Sequence, residues 1–310
     1  MNRTLVVAAL ATLASGAAMA QSSVTIYGRL NLTLESQDAN GVKTKVMNNN
    51  SSRIGFKGTE DLGGGLKAGF VLESGMSPDT GAAPAPFWGR QSEVNLSGGF
   101  GTVRLGNFVS EAYFATSDYI GMHNHETGTS SDALYAYIGR NTNKVSYRTP
   151  EFVKGLTIEG AVAAGEGGGR VRNYDFAVNY SMGPLHVGVG SEKAGNAKQT
   201  AVSALYEFGS LIVGGMIQRD TNAYGSGNRT NFRGSVAYMV GASEFHVNVG
   251  KAGNYSNTAD SGALQTTLGY NYNLSKRTKV YGYWTKVDAE RNTGYASDYS
   301  SIAGGIRHNF

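Results

Sequence analysis

Three features of the chain have residue types and spacings that chemistry uses. His123-Asn124-His125 followed by Glu126 offers two imidazoles and a carboxylate in sequence, ligand types that hold zinc. Gly165 with Gly167, Gly168 and Gly169 makes a glycine-rich stretch of the kind that cradles phosphate. The third feature is charge, with 27 Lys and Arg against 23 Asp and Glu. None of the three is completed. No cysteine exists in the chain and no other histidine lies near 123–125, so the metal reading stops at His-x-His on a loop. Arg170 and Val171, rather than the Lys-Ser/Thr of a phosphate loop, follow the glycines. No Gly-x-Ser-x-Gly elbow is present, and the five histidines have no triad spacing. The basic excess is small and dispersed, which argues against nucleic-acid binding. The sequence therefore calls for no catalytic residue, cofactor or metal.

The elements that would position any site are strands. Among 310 residues there are 44 glycines, about twice the usual share of roughly 7%, and glycine at this density weakens helices by about 1 kcal/mol at each position. Eighteen Tyr and 12 Phe with a net charge of +4 exclude disorder. Arg3, the apolar run from Leu5 to Leu13 and Ala18-Met19-Ala20 form the three parts of a secretory signal peptide, residues 1–20, with cleavage expected before Gln21. The exported domain is then 21–310, with 26 basic and 23 acidic residues. It holds no apolar run long enough for a membrane helix, so it is either a soluble exported β protein or a membrane β-barrel.

Period-two alternation runs through that domain. Ile54 and Phe56 share one parity, with Arg53 and Lys57 on the other. Leu66, Ala68, Phe70 and Leu72 alternate with Lys67 and Glu73, and Phe245, Val247 and Val249 with Glu244, His246 and Asn248. Sixteen such segments follow one another, the first from Ser22, the second from Ser51 and the last from Tyr299. Tight glycine turns alternate with longer polar connections, the pattern of an up-and-down barrel with turns on one rim and loops on the other. Tyr174 and Tyr180, or Tyr270 and Tyr272, suit an interfacial aromatic girdle. Side chains cannot fill a barrel of sixteen strands, so its polar interior holds water and forms a channel.

Particular motifs carry a family resemblance across the whole exported domain. Ser23-Val24-Thr25-Ile26-Tyr27-Gly28 opens it, and Arg53-Ile54-Gly55-Phe56-Lys57-Gly58-Thr59-Glu60-Asp61-Leu62-Gly63-Gly64-Gly65-Leu66-Lys67-Ala68 follows. Gly89-Arg90-Gln91, Gly101-Thr102-Val103-Arg104-Leu105-Gly106 and Val145-Ser146-Tyr147-Arg148-Thr149-Pro150-Glu151-Phe152 come next, and Gly305-Ile306-Arg307-His308-Asn309-Phe310 ends the chain. This resembles the general diffusion porins of Gram-negative bacteria, in their neisserial and beta-proteobacterial branch. The resemblance implies an all-β, sixteen-stranded antiparallel transmembrane barrel in the outer membrane, forming homotrimers with one pore per subunit. It also implies a third extracellular loop folded into the barrel as a constriction, passive flow of ions and small hydrophilic solutes, and no enzymatic activity.

Residues 110–141, the longest non-alternating stretch, match that loop and carry Glu111, Asp118, Glu126 and Asp132. The family's basic wall cluster matches Arg53, Arg90 and Arg140, with Lys57 and Arg104 as further inward-facing cations. Opposed charges across a narrow water-filled gap orient polar solutes, and an Arg-rich ring favours anions, so a mild anion preference is expected. At Arg90 simple counting sets Val94 and Leu96 on the same face, which conflicts with an inward position. Phe310 matches the terminal residue read by the outer-membrane insertion machinery, and outer-membrane lipid and lipopolysaccharide are the implied surroundings. An outer-membrane barrel enzyme would need an acid, His or Ser cluster on the outer loops. A soluble binding protein would fractionate without detergent. A substrate-specific porin would need an aromatic ladder along the lumen, and no clear one is readable.

Overall fold

In the computed structural model, which describes residues 23–118, 120, 133–139, 141–166, 171–294 and 296–310, alternation has become one closed antiparallel sheet. Its strands are β1 Ser23–Ala39, β2 Val42–Asn49, β3 Arg53–Gly63, β4 Leu66–Gly75, β5 Gln91–Gly98, β6 Gly101–Asn107, β7 Lys144–Arg148, β8 Leu156–Ala163 and β9 Asn173–Met182. They continue as β10 Leu185–Ala194, β11 Ala197–Phe208, β12 Leu211–Thr221, β13 Asn228–Val240, β14 Ser243–Ala252, β15 Ala263–Asn273, β16 Thr278–Ala289 and β17 Tyr299–Asn309. β1 pairs with β2, β3 and β17, β3 with β4, and each later strand with its chain neighbours, so the sheet closes on itself.

β1 is long enough to pair with β3 along its first part and with β2 along its second. β2 and β3 are thus two pieces of one barrel strand, and the seventeen segments close a barrel of sixteen strands. The break is a bulge. Leu32 opposes Asn49 and Arg29 opposes Arg53, so residues 50–52 face only Leu30 and Asn31, and Ser51 takes a left-handed φ of 59°. The sequence reading begins this strand at Ser51 and omits β2. Val42–Asn49 is polar, and the bulge shifts its parity by one residue relative to β3.

Parity sorts the wall. On β13, Arg229, Asn231, Arg233 and Ser235 are buried, while Phe232, Val236 and Tyr238 face outward. On β1, Leu30 and Leu34 are exposed outward, and Asn31, Thr33 and Glu35 are buried inside. Tyr174, Tyr270 and Tyr272 of the expected girdle are exposed, and Phe245 packs against Tyr270 with centroids 5.1 Å apart. Tyr180 is only half-exposed. The expected contrast between rims holds in part. Residues 99–100, 183–184, 209–210 and 241–242 are two-residue turns on one rim, yet 40–41 and 195–196 on the loop rim are equally short. Asn40-Gly41, with φ of 51° and 83°, has the twist that a two-residue hairpin needs.

The seam is closed by the chain end. Gly28 N–H donates to Phe310 O at 3.0 Å and Phe310 N–H to Gly28 O at 3.1 Å. A Cβ on Gly28 would lie 2.6 Å from Arg53 O and would clash with the Phe310 ring. Gly28→Val is therefore expected to destabilise the barrel by about 1–3 kcal/mol, the usual cost of overpacking. The readout is a smaller fraction of the compact, heat-modifiable form on unheated denaturing gels, at a fixed urea concentration.

Candidate functional site

The stretch between β6 and β7 leaves the sheet because its apolar residues do not alternate. Ser110 caps a short helical turn, Glu111–Tyr113, by accepting from Ala112 N–H at 3.1 Å, and the coil widens through Phe114–Asp118. This segment lies against the inner parity of β10 to β13. Ser203 Oγ donates to Ala115 O at 2.9 Å, and the Ala112 and Ala115 carbonyls approach Gly190 and Gly188, where any Cβ would collide with them. The return limb, residues 133–139, is held by amides. Gln218 takes Ala136 N–H at 2.8 Å and donates back to its carbonyl at 3.1 Å, and Gln199 donates to the Tyr135 hydroxyl at 2.8 Å. Ile120, Tyr135, Ala201, Leu205 and Met216 pack between loop and wall.

The inner wall is thereby divided. From β9 to β15 most of its polar side chains are buried, including the Asp220–Arg229 ion pair at 2.8 Å, and so is the Lys144–Asp175 pair that joins β7 to β9. On the other side the cations keep contact with solvent. Arg53 and Arg90 converge on one carboxylate, Glu73, at 3.7 Å and 2.6 Å. Arg90 stands just before β5, which starts at Gln91, so strand parity does not apply to it and the conflict with Val94 and Leu96 disappears. Lys57 is exposed on the inner face of β3, over the Tyr27 ring. Arg104 is bound to Glu93 at 2.6 Å and Glu159 at 3.3 Å.

Of the loop acids, Glu111 is engaged by Arg148 at 2.5 Å and by Asn179 at 3.2 Å, on β7 and β9. Asp118 is half-exposed. Arg140, Glu126 and Asp132 lie outside the described residues, as do His123 and His125, three of the four loop glycines and the whole of 1–20. Among the described residues no group of three His, Asp or Glu side chains is placed to hold a metal.

The sequence reading missed part of the cationic wall. Arg29 directly opposes Arg53 across β1 and β3, and Arg307 opposes Lys279 across β17 and β16. Arg29 interacts electrostatically with Arg53, Arg90 and Arg307. These cations form a strip over β3, β1, β17 and β16, joined at its edge by Arg90. Glu73 and Glu244 are set among them, the latter accepting from Lys279, Asn271 and Asn273. A signal was present, since Tyr27, Arg29 and Asn31 alternate with Ile26, Leu30 and Leu32.

A closed sixteen-strand barrel, apolar outside and charged inside with a loop packed on its inner wall, is the architecture of an outer-membrane channel. A family model for the Gram-negative porins matches residues 6–292, and this chain belongs to that family. Outer membrane porin protein 32 of Delftia acidovorans is 36% identical, over 91% of this chain and 88% of the relative. The major outer membrane protein P.IB of Neisseria meningitidis serogroup B is 28% identical, over 96% and 98%. An anion-selective porin from Comamonas acidovorans superposes with a TM-score of 0.77 at 28% identity, covering 94% of this chain and 100% of that one.

Burial raises the Glu111 carboxyl above its ordinary value, and the neighbouring Arg148 only partly offsets this. An acid raised in this way takes up its proton at higher pH than a free carboxylate, so the lumen loses a negative charge as pH falls toward the usual Glu range. The Cl⁻/K⁺ permeability ratio is expected to rise as pH is lowered from 7 to 5. Glu111→Gln should show the higher ratio already at pH 7 and a flatter profile, as read from reversal potentials.

Proposed function

We propose that this outer-membrane porin passes small hydrophilic solutes with a mild preference for anions, and that residues 110–141 form its constriction. One observation carries the reading: the solvent-reaching inner wall holds Arg29, Arg53, Arg90, Arg307 and Lys279, with Glu73 and Glu244 set among them. Cations on one wall of a narrow aqueous passage lower the barrier for an anion and raise it for a cation, and the low-dielectric barrel focuses that field. The anion selectivity named for the Comamonas relative supports the same sign. The family resemblance assigns Arg140 to the same basic cluster. Flow is passive and requires no bond making, so no catalytic group is assigned.

The family resemblance further supports a homotrimer in the outer membrane, in contact with lipopolysaccharide and assembled by the insertion machinery through Phe310. It also supports removal of residues 1–20 before Gln21. Cross-linking of the detergent-extracted protein and N-terminal sequencing of the mature form test these points.

Selectivity is tested by the reversal potential of the reconstituted protein in a KCl gradient. An anion-selective sign is expected, and a cation-selective one overturns the reading. Arg53→Ser and Arg90→Ser should each lower the Cl⁻/K⁺ ratio by a factor of roughly two to five, the effect of a single unit charge at contact distance in a water-like medium. Arg219→Ser, on the outward parity of β12, is the control.

A further inference from the structure

The loop presents something other than charge to this wall. Along Glu111–Asp118, Ala112, Ala115, Thr116 and Ser117 are buried, while Glu111, Phe114 and Asp118 share the opposite face. Phe114 is 41% exposed, and among the described residues of 110–139 it is the only large apolar side chain left so open. It is not isolated. Its ring meets that of Tyr113 at a centroid distance of 5.7 Å, and Tyr113 in turn meets Tyr137 at 5.7 Å. The ledge is stiff, because the Tyr137 hydroxyl donates to Asn141 at 2.6 Å and its backbone N–H and carbonyl both bond the Tyr224 hydroxyl.

The position of the ledge is set by topology. The loop rests on β10 and β11, the ninth and tenth barrel strands, halfway round the ring from β1 and the β2–β3 strand. Those are the strands that carry Arg29 and Arg53. An aromatic shelf and a guanidinium strip thus face each other across one passage. A packed loop gains nothing from an open phenyl ring in water, whereas a solute with a flat apolar body would cover it and gain hydrophobic and edge or stacking contacts.

We propose that the passage contains a weak binding station for small aromatic carboxylates, with the ring on Phe114 and the carboxylate toward Arg29 and Arg53. This rests on the reading of a basic wall opposite the loop, and it names the solute class which that wall serves. Arrangement rather than affinity is the point: conduction needs a station that a solute enters readily and leaves readily.

Sodium benzoate and sodium acetate are the probes, each titrated against the chloride current of the full-length protein in planar bilayers. Benzoate is expected to block saturably at a concentration roughly three- to tenfold lower than acetate, the range one aromatic contact supplies. Phe114→Ala should bring that ratio to about one, and Phe114→Trp should preserve it. Because the ratio is read within each channel, a changed conductance does not enter it. If the Ala variant fails to fold, Phe114→Leu should still reduce the ratio. Equal block by both anions, or a benzoate preference untouched by the loss of Phe114, overturns the station. A cation-selective reversal potential with Phe114-dependent benzoate block overturns only the selectivity reading and leaves the station standing. Anion selectivity with equal block overturns the station alone.

Discussion

Everything in this molecule depends on the requirement that no backbone N–H or C=O be left unpaired in lipid. An open sheet of this size would present two bare edges to hydrocarbon. The chain meets the requirement by returning β17 to β1 in register, from Arg29 opposite Asn309 to Ala39 opposite Tyr299. Once the ring is closed, side chains have only two destinations, and one period-two pattern must serve both. Leu30, Leu34, Ile302 and Ile306 therefore point to lipid beside the seam, and Arg29, Asn31, Glu35 and Arg307 point inward from the same two strands. A one-residue slip would exchange the two sets, which is why register is worth more here than in a soluble sheet. The bulge at 50–52 makes the same point, since one inserted residue lets Asn48 and Asn50, of one parity, and Arg53, of the other, all reach the interior.

Inside the ring the charges are treated in two ways. Under the loop, Asp220 and Arg229 are wholly buried, and Tyr255 adds a hydroxyl to the carboxylate at 2.9 Å and a ring face to the guanidinium. Burying such a pair is tolerable only when each member is paired and hydrogen-bonded, and breaking one leaves a charge stranded. These groups hold a wall. Arg53, Arg90 and Arg148 keep part of their surface in water, where an ion pair is worth little to stability but its field still reaches a passing solute. The loop separates the two populations, and it is seated by glycine and amides. Gly188 and Gly190 let its carbonyls approach the backbone of β10, while Gln199 and Gln218 hold its return limb at the Tyr135 hydroxyl and the Ala136 backbone.

Local pattern and long-range packing divide what was legible in advance. Fifteen barrel strands begin within two residues of where alternation starts, because inward and outward faces are encoded residue by residue. The other, β2 with β3, was cut short, because Lys43, Thr44 and Lys45 lie at the loop rim, where the outer face need not be apolar. Arg53 and Arg90 were readable from motifs beside them, but the Glu73 that joins them was read only as an inward-facing residue of β4. Arg29 and Arg307 lie at opposite ends of the chain and become neighbours only through closure, so no local window brings them together. Phe114 was hidden for a different reason. In a stretch without alternation, nothing local tells an aromatic that packs, such as Tyr135, from one that stays open.

Glu73 and Glu244 then acquire a meaning beyond pairing. A strip holding only cations would bind an anion deeply and pass it slowly, because a trap and a filter differ only in depth. Glu73, shared between Arg53 and Arg90, and Glu244, which takes Lys279, lower the net charge of the strip without removing any of its donors. On the facing side Glu111 is occupied by Arg148, so the loop's acid next to Phe114 is partly neutralised as well. The passage is thus bordered by charges already in partial balance, and a visiting carboxylate competes with resident carboxylates for the same guanidinium groups. Competition of this kind keeps residence short while preserving the sign of the field, and it allows a shelf such as Phe114 to discriminate between solutes of equal charge.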